Sequence, residues 1–210
     1  MPRGYVVLLP VKPPARGKSR LVGLESHERA DLARSFALDT AEACLAATAV
    51  RAVLVITDDA HFAADVARLG AFVIPDGVSG DLNGTLVQGS LEARRRWAGF
   101  RPVALCGDLP ALRSADLDKA LASAGGAGAA YVEDAAGGGT TLYTAPYDHF
   151  RPAFGPGSAA AHHDGGATAL EGDLHSLRHD VDTLEDLEAV RRLGLGPRTA
   201  LASVRVGSPG

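Results

Sequence analysis

The sequence is poor in cysteine and has no excess of positive charge. Its 210 residues include two cysteines, Cys44 and Cys106, which lie far apart and form no Cys-x-x-Cys pair. We therefore expect two reduced thiols, as in a cytoplasmic protein. The formal net charge of -4 argues against a nucleic-acid binder held by general positive charge, so basic clusters have to be interpreted locally.

The sequence also lacks a long apolar run. No apolar segment approaches the roughly 18–20 residues of a membrane span, and the N-terminal run YVVLLPV has no small-residue cleavage site. We expect neither a membrane span nor a secretory signal. Hydrophobic residues form 46% of the chain, which predicts a substantial core in one domain over residues 1–210. The C-terminal ASVRVGSPG is expected to fray, so that order is lost by about residue 205.

What the chain does contain is an alternation of apolar runs and helical patterns. Strands are predicted at 5–11, 52–59, 71–76 and 101–108, with helices between them. Such runs indicate a mostly parallel sheet covered on both faces. In the second half, GAAYVEDAAGGGTTLYTAP predicts two strands around a glycine-rich bend. HSLRHDVDTLEDLEAVRRLG predicts a strand and then a helix capped by Thr183, and Ser26 is predicted to cap the first long helix.

A basic loop, PVKPPARGKSRL, follows the first predicted strand. It carries four basic residues before the first acid of the chain: Lys12, Arg16, Lys18 and Arg20. Its Gly-Lys-Ser is similar to the end of a P-loop, but Lys12 stands where the first glycine of that motif belongs. Two prolines then remove backbone N–H donors. We reject the P-loop interpretation and expect the loop to bind polyphosphate through side-chain charge.

Aspartates stand where strands are predicted to end. Asp108 belongs to GDLP, and Asp180 and Asp182 alternate in HDVDT, so both could reach one cation from an extended segment. The alternatives are that Asp108 stabilises a turn and that Asp182 helps to cap the following helix. Ligands of open α/β sheets bind beyond the carboxyl ends of the strands. Three carboxylates beside a basic loop therefore favour a magnesium–polyphosphate site.

Three further motifs are weaker indications of function. In LNGTL, Asn83 or Thr85 either caps a helix or, for the Asn83 amide, reads a nucleobase edge. In FGPGSAAAHH, Ser158 lies near a helix start that would suit an anion, while His162 and His163 lack the further ligands of a zinc site. GGGTTL is either a flexible hairpin or part of the site, and no G-x-S-x-G motif supports a serine hydrolase.

These motifs, in this order from about residue 6 to 196, resemble the guanylyltransferases of deazaflavin coenzyme F-420 biosynthesis that act on phosphoenolpyruvate or 2-phospho-L-lactate. The resemblance implies a single-domain nucleotidyltransferase fold (GT-A-like, Rossmann-like) in three layers with a mostly parallel central sheet. It implies an enzyme that joins GTP to a phosphorylated three-carbon acid and releases pyrophosphate, with Mg²⁺ as cofactor. The high Ala, Gly and Arg content resembles the actinobacterial branch and favours phosphoenolpyruvate, while 2-phospholactate and 3-phosphoglycerate stay open.

The resemblance also implies a role for individual residues. The metal ligands would be Asp108, Asp180 and Asp182. The contacts to the acid's carboxylate would be Thr140, Gly155 and Ser158, with Thr141 competing with Thr140 in the alignment. Lys12, Lys18 and Arg20 would face the triphosphate, Asn83 would lie near the base, and the catalytic residues would be Lys18, Arg20 and Asp108.

The predicted partners follow from the same resemblance. They are GTP and the three-carbon acid, with no nucleic acid and no membrane; a homodimer stays open, and the product is expected to pass to a downstream transferase of the pathway. Rival interpretations are another nucleotidyltransferase, of the sugar-phosphate or molybdopterin-guanine type, and a catalytically silent nucleotide-binding regulator. The regulator would have lost the three metal-binding acids, which are present in this sequence.

Overall fold

A seven-stranded sheet forms the centre of the protein in a computed structural model that describes residues 4–12, 20–78, 80–126 and 128–206. The strands are β1 (Tyr5–Pro10), β2 (Val50–Ile56), β3 (Phe72–Ile74), β4 (Arg101–Leu105), β5 (Ala130–Glu133), β6 (Thr140–Thr144) and β7 (Thr168–Ala169). Their order across the sheet is β3-β2-β1-β4-β6-β5-β7. Only β6 runs antiparallel to its neighbours, which confirms the predicted mostly parallel α/β sheet.

Helices cover both faces of the sheet. They are α1 (Ser26–Ala46), α2 (Ala60–Arg68), α3 (Leu82–Trp97), α4 (Ser114–Ala124), α5 (Ser158–Asp164), α6 (His175–Arg178), α7 (Leu184–Arg191) and α8 (Pro197–Val206). Val7 and Leu9 of β1 join the core beneath α1 and α4, while Val6 and Leu8 join the core beneath α3. A strand buried on both faces has apolar residues at every position, which explains the uninterrupted run in the sequence.

Two predicted local features differ from the structure. The segment predicted as a late strand forms the short helix α6 and then an irregular stretch, whereas Thr183 caps α7 as predicted, accepting a hydrogen bond from the Asp186 N–H. Ser26 is the first residue of α1 rather than its cap. The cap position belongs to Glu25, whose backbone N–H donates to the Glu28 carboxylate over 2.8 Å.

The C-terminal segment is more ordered than the sequence suggests. The frayed tail was predicted to include residues 202–206, but these belong to α8; residues 207–210 lie outside the described part. The buried carboxylate of Asp39 on α1 accepts hydrogen bonds from the backbone N–H groups of Arg198 and Thr199. It thereby satisfies donors in the first turn of α8, which have no partner within the helix.

Two predictions from composition concern thiols and the membrane. Cys44 and Cys106 are both free thiols. Cys44 is completely buried, and burial raises its pKa. Across the described ranges, every helix is too short or too polar to cross a bilayer.

The strand order places the functional end of the sheet. From β1 the chain continues through β2 and β3 on one side and then returns to the other side of β1 as β4. At this reversal of strand order a crevice opens beyond the carboxyl ends of β1 and β4. Since β6 is antiparallel to β4, its first residue, Thr140, lies at this same edge. A backbone hydrogen bond of 2.9 Å from Cys106 N to Thr141 O joins the two strands there.

Candidate active site

A cavity of about 330 Å³ opens at the carboxyl ends of the parallel strands. Its polar lining residues are Lys12, Asp76, Asp81, Thr85, Cys106, Asp108 and Asp182. Of the residues predicted from the sequence, Lys12, Asp108 and Asp182 meet in this cavity. We refer to it as the strand-end crevice.

Close backbone approach positions the residues of the crevice. Val11 N donates to Ile56 O over 2.9 Å, which holds the end of β1 against β2. At Gly107 a Cβ atom would stand 3.3 Å from Val11 Cγ2, closer than most real contacts, so glycine allows β4 to end against β1. Asp108 follows directly and therefore enters the crevice.

A second backbone contact brings the late aspartates to the same place. Val181 N donates to Asp108 O over 3.0 Å, so the segment that carries Asp180 and Asp182 lies beside the end of β4. The carboxylate of Asp182 pairs with Arg20 over 3.2 Å. Both side chains are substantially exposed, 43% and 75%, so this ion pair contributes little to stability.

The predicted metal ligands are not gathered into one compact group. Within the described ranges, no three His, Cys, Asp or Glu side chains are arranged to hold a metal ion, and Asp180 is not among the residues that line the crevice. Asp108 and Asp182 do share the crevice, and their carboxylate oxygens are the donors that Mg²⁺ prefers. Two carboxylates suit this ion, but its binding stays a prediction.

The basic loop is only partly described. Lys18 lies outside the described residues, so its predicted place beside the triphosphate stays a prediction. Lys12 lines the crevice and is exposed. Arg20 is held at the side of Asp182 by the ion pair, which leaves its predicted contact with phosphate untested.

The residues predicted to bind the acid surround α5. Thr140 Oγ1 lies 3.0 Å from Nδ1 of His162, which is one helical turn after Ser158. Ser158 N in turn donates to Gly155 O over 3.1 Å, and Ala159 N donates to Gly138 O over 3.3 Å. The structure therefore brings the three predicted residues together; we call Thr140, Gly155, Ser158 and His162 the α5 cluster.

His162 is the member of this cluster that sequence reasoning missed. It was considered only as a zinc ligand, yet its Nε2 accepts a hydrogen bond of 2.9 Å from Ala153 N and its ring stacks on Tyr143 at 4.5 Å. Burial lowers the pKa of His162 to about 4, against a smaller opposing effect of a hydrogen bond with the Ser158 backbone. The ring is therefore neutral at physiological pH.

A β-bulge distinguishes Thr140 from Thr141. Val132 of β5 faces Leu142, but Glu133 faces Thr140, so Thr141 is the extra residue. Bulges re-aim side chains and are common beside active sites. The Thr140 hydroxyl contacts His162, whereas the Thr141 hydroxyl is buried and has no hydrogen-bond partner among the described residues. The bulge explains how adjacent threonines come to have different surroundings.

Asn83 links the crevice to the α5 cluster. It lies in α3, whose cap is Asp81 rather than Asn83 or Thr85. Its Nδ2 donates to Phe154 O over 3.0 Å, and its Oδ1 accepts from Phe154 N over 2.8 Å. Phe154 lines the crevice and meets the His162 ring edge-on. The Asn83 amide thus holds the loop that contains Phe154. The predicted contact of Asn83 with a nucleobase stays a prediction.

Asp76 is a crevice residue that the prediction omitted. It comes directly after β3, and its carboxylate accepts hydrogen bonds from Thr85 Oγ1 over 2.7 Å and from Val78 N over 3.0 Å. The rule that places ligands at the carboxyl ends of strands could have identified it, since IPD ends the third apolar run. Its bonds to Thr85 and Val78 indicate a role in shaping the wall.

Comparison with known proteins gives consistent results. The family described as "Guanylyl transferase CofC like" matches residues 5–196. A phosphoenolpyruvate guanylyltransferase of Thermomonospora curvata is 47% identical, with 96% of this chain and 90% of that protein covered. The protein of the same name from Streptomyces scabiei is 45% identical, with 98% and 99% covered.

Solved structures show the same fold at low identity. A protein assigned as a nucleotide-diphospho-sugar transferase from Desulfovibrio desulfuricans G20 superposes with a TM-score of 0.73 at 19% identity, covering 96% of this chain and 95% of its own. A 4-diphosphocytidyl-2C-methyl-D-erythritol synthase gives 0.63 at 14% identity, covering 91% and 99%. At these identities the likeness concerns the fold alone.

Proposed function

Because the chain belongs to the CofC-like guanylyl transferase family, we propose that it is the nucleotidyltransferase that joins GTP to phosphoenolpyruvate and releases pyrophosphate. The observation that carries the proposal is the near-complete alignment with phosphoenolpyruvate guanylyltransferases at 47% and 45% identity. The strand-end crevice supports it, because it combines positive and negative side chains where nucleotides bind in α/β sheets.

The reaction needs little covalent chemistry from the protein. A phosphate oxygen of the acid attacks the α-phosphorus of GTP and forms a new P–O bond. The bond between the α-phosphorus and the bridging oxygen breaks, and its electron pair leaves with pyrophosphate. Because the attacking oxygen is already anionic, no general base is required, and the protein has to supply positioning and charge neutralisation.

Positive side chains of the basic loop would meet the triphosphate. Lys12 enters the crevice after β1, and Lys18 and Arg20 belong to the same loop in the sequence. In this proposal their charges offset the negative charge that builds up on the departing pyrophosphate. Arg20 would then exchange its exposed, weak pairing with Asp182 for contact with phosphate.

The acidic residues of the crevice would hold magnesium. Asp108 and Asp182 supply carboxylate oxygens there, and Asp180 is the third predicted ligand. Bound magnesium would neutralise phosphate oxygens of both substrates and bring them together. The carboxylates would otherwise repel those phosphates, so their presence beside a basic loop supports a site that also takes a cation.

The acid would bind between the crevice and the α5 cluster. Thr140 and Ser158 offer neutral hydroxyl groups beside the exposed Gly155, and neutral donors suit a carboxylate that needs no full counter-charge. The phosphate of the acid would face the crevice. The product, a guanosine diphosphate ester of the acid, is suited to a downstream transferase of coenzyme F-420 biosynthesis.

A pyrophosphate-release assay tests the proposal. Purified protein with Mg²⁺ should release pyrophosphate from GTP with phosphoenolpyruvate, and less with ATP or CTP. Parallel reactions with 2-phospholactate and 3-phosphoglycerate decide the acid. Turnover with 2-phospholactate but not phosphoenolpyruvate would identify 2-phospholactate as the substrate. Binding of GTP without release of pyrophosphate in the presence of any of these acids would favour the nucleotide-binding regulator.

A further inference from the structure

We infer that His162 is a positioning residue, whose ring holds the Thr140 hydroxyl as a hydrogen-bond donor toward the carboxylate of the acid substrate. The inference rests on the proposed function, because it concerns the acid named there. His162 touches Thr140 and Ala153 rather than the reacting atoms, so it would act through Thr140.

The tautomer of His162 follows from its contact with Ala153. The Ala153 backbone N–H lies 2.9 Å from Nε2, and a backbone amide can only donate. Nε2 must therefore present its lone pair, and a neutral ring then carries its proton on Nδ1. The Ser158 backbone shares this Nδ1–H. Because the protonated Nδ1 lies 3.0 Å from Thr140 Oγ1 and cannot accept, the hydroxyl can take part in this contact only as an acceptor.

The direction of this bond determines where the proton of the Thr140 hydroxyl can point. A hydroxyl has one proton and two lone pairs, and Nδ1–H occupies a lone pair, so the proton points elsewhere. Among the residues that the structure describes, His162 is its only hydrogen-bond partner. Thr140 is 5% exposed, and a buried donor without an acceptor is costly. An anionic oxygen of a bound acid would satisfy it.

The surroundings of His162 keep this arrangement from reversing. The ring is 2% exposed, stacks on Tyr143 at 4.5 Å, and lies 5.8 Å from the Tyr131 ring and 5.5 Å from that of Phe154. A protonated ring would place an Nε2–H against the Ala153 N–H, two donors facing each other. Burial also lowers the pKa of His162 to about 4, so the ring stays neutral. The Thr140 hydroxyl is therefore a donor throughout the physiological range.

A donor with fixed direction selects the chemistry of its ligand. It can meet a carboxylate oxygen, which accepts hydrogen bonds, and it cannot meet an N–H group. The same ring anchors Ala153, two residues before Gly155. His162 thus fixes the direction of the hydrogen bond that Thr140 can donate. It also holds the loop that leads to Gly155, the next residue predicted to contact the acid. A test has to separate these two effects.

Two substitutions separate the contacts made by the two nitrogens of the ring. In His162→Asn the amide atoms are attached to Cγ, as Nδ1 is, so an N–H can still reach Thr140 but nothing reaches Ala153. In His162→Gln the amide lies one carbon further out, near the position of Nε2, and can accept from Ala153 instead. His162→Phe keeps the packing on Tyr143 and removes both bonds.

The measurement is the KM for phosphoenolpyruvate and for GTP in each variant. His162→Phe and His162→Gln should raise the KM for the acid by about tenfold, as for loss of one hydrogen bond to a charged group, and leave the KM for GTP nearly unchanged. His162→Asn should restore the KM for the acid. The exposed neighbour His163, changed to Asn, is the matched control and should alter neither constant.

A double-mutant cycle tests whether His162 acts through Thr140. In Thr140→Val/His162→Phe the KM for the acid should equal that of Thr140→Val alone, because both changes remove the same contact. Additive effects would overturn the inference. A normal KM for the acid in His162→Gln together with a raised KM in His162→Asn would also overturn it, because only the bond to Ala153 would then matter.

A spectroscopic measurement keeps this inference separate from the proposed function. Histidine ¹⁵N NMR of the full chain, with His162→Asn used to assign the signals, should show a neutral Nδ1–H ring for His162 at pH 7. An Nε2–H or doubly protonated ring would overturn the inference. Absence of wild-type turnover with phosphoenolpyruvate would refute the proposed function. Turnover with an unchanged KM in the Phe and Gln variants would refute the role of His162 alone.

Discussion

The strand-end crevice and the α5 cluster, which face each other across Phe154, are built from opposite kinds of groups. The crevice presents formally charged side chains that are exposed or half-buried, such as Lys12, Asp108 and Asp182. The α5 cluster presents neutral groups, and its Thr140 and His162 are almost completely buried. The difference suits a pair of substrates in which one region neutralises phosphates and the other orients a carboxylate.

The side chains of the two regions are also held in position in different ways. Side chains of the crevice are placed by the backbone at strand ends, as the bond from Val181 N to Asp108 O shows. Those of the α5 cluster are placed by one another, through the bonds of His162 to Thr140 and Ala153. Substitutions in the crevice should therefore act locally on charge, and those in the cluster should spread through hydrogen bonds.

The largest effect is expected in the crevice. Asp108→Asn keeps the size of the side chain and removes its charge, so turnover should fall by about 100-fold or more, the effect of losing one preorganised electrostatic group. Circular dichroism should show an unchanged fold. Asp148→Asn, an exposed aspartate paired with Arg94, is the matched control. Normal turnover of the Asp108 variant would remove it from the catalytic residues.

In the α5 cluster the effect should fall on one substrate. Thr140→Val and Ser158→Ala should each raise the KM for the acid by about tenfold, because a hydrogen bond to a carboxylate is lost, while the KM for GTP stays nearly constant. Thr141→Val is the control next to Thr140 and should change neither constant. A defect confined to GTP would assign these residues to the nucleotide.

Asn83 tests the connection between the two regions. Asn83→Ala leaves the N–H and the C=O of Phe154 without their present partners, which should lower the free energy of unfolding by about 1–3 kcal/mol. Because Phe154 touches both regions, both KM values should rise together. Steady-state kinetics and urea unfolding measure this. A change in the KM for GTP alone would instead support the predicted contact with the base.

The buried His162 gives the fold a dependence on pH. Its pKa is about 4 in the folded protein and near 6.5 in an unfolded chain, so the folded state binds fewer protons between these values. The contribution of His162 is fully present above pH 6.5 and is lost as the pH falls toward 4. The free energy of unfolding, measured with urea at pH 7 and pH 5, should decrease less between these pH values for His162→Phe than for the wild type. Equal losses would contradict the lowered pKa.

The smallest effect is expected at Thr141. Its buried hydroxyl has no hydrogen-bond partner in the described part of the chain, and valine has nearly the same shape. Thr141→Val should therefore leave the protein as stable or slightly more stable, within about 1 kcal/mol. Thermal unfolding checks this. A marked loss of stability would indicate that the hydroxyl has a partner after all.

The sequence predicted the fold better than the details of the site. Apolar runs between helical patterns identified β1 to β4, since strands buried on both faces admit few polar residues. The predicted strand before Thr183 was wrong, because a short segment such as α6 has too few residues for its periodicity to decide. Helix α8 was not predicted for another reason: Asp39, which anchors its first turn, lies far away in the sequence.

Within the site, residue types indicated chemistry but not partners. The strand-end rule brought Asp108 and Asp182 to one crevice, and the same rule would have included Asp76. The role of His162 depends on Thr140, 22 positions away, and on a bulge at Thr141, neither of which leaves a local pattern. For Asn83, the sequence offered a cap or a base contact, and the structure adds a clamp on a loop.

The pairing of the strands has a consequence for the order in which the site forms during folding. β5 and β6 are joined by a short turn, so the edge that carries Thr140 can form early from local contacts. The crevice needs β1 beside β4, which pairs Tyr5 with Arg101 and closes a long loop of chain. Loop closure over such a separation is slow and entropically costly. We therefore expect the α5 cluster to be assembled before the strand-end crevice, which would acquire its geometry only when the chain is nearly native.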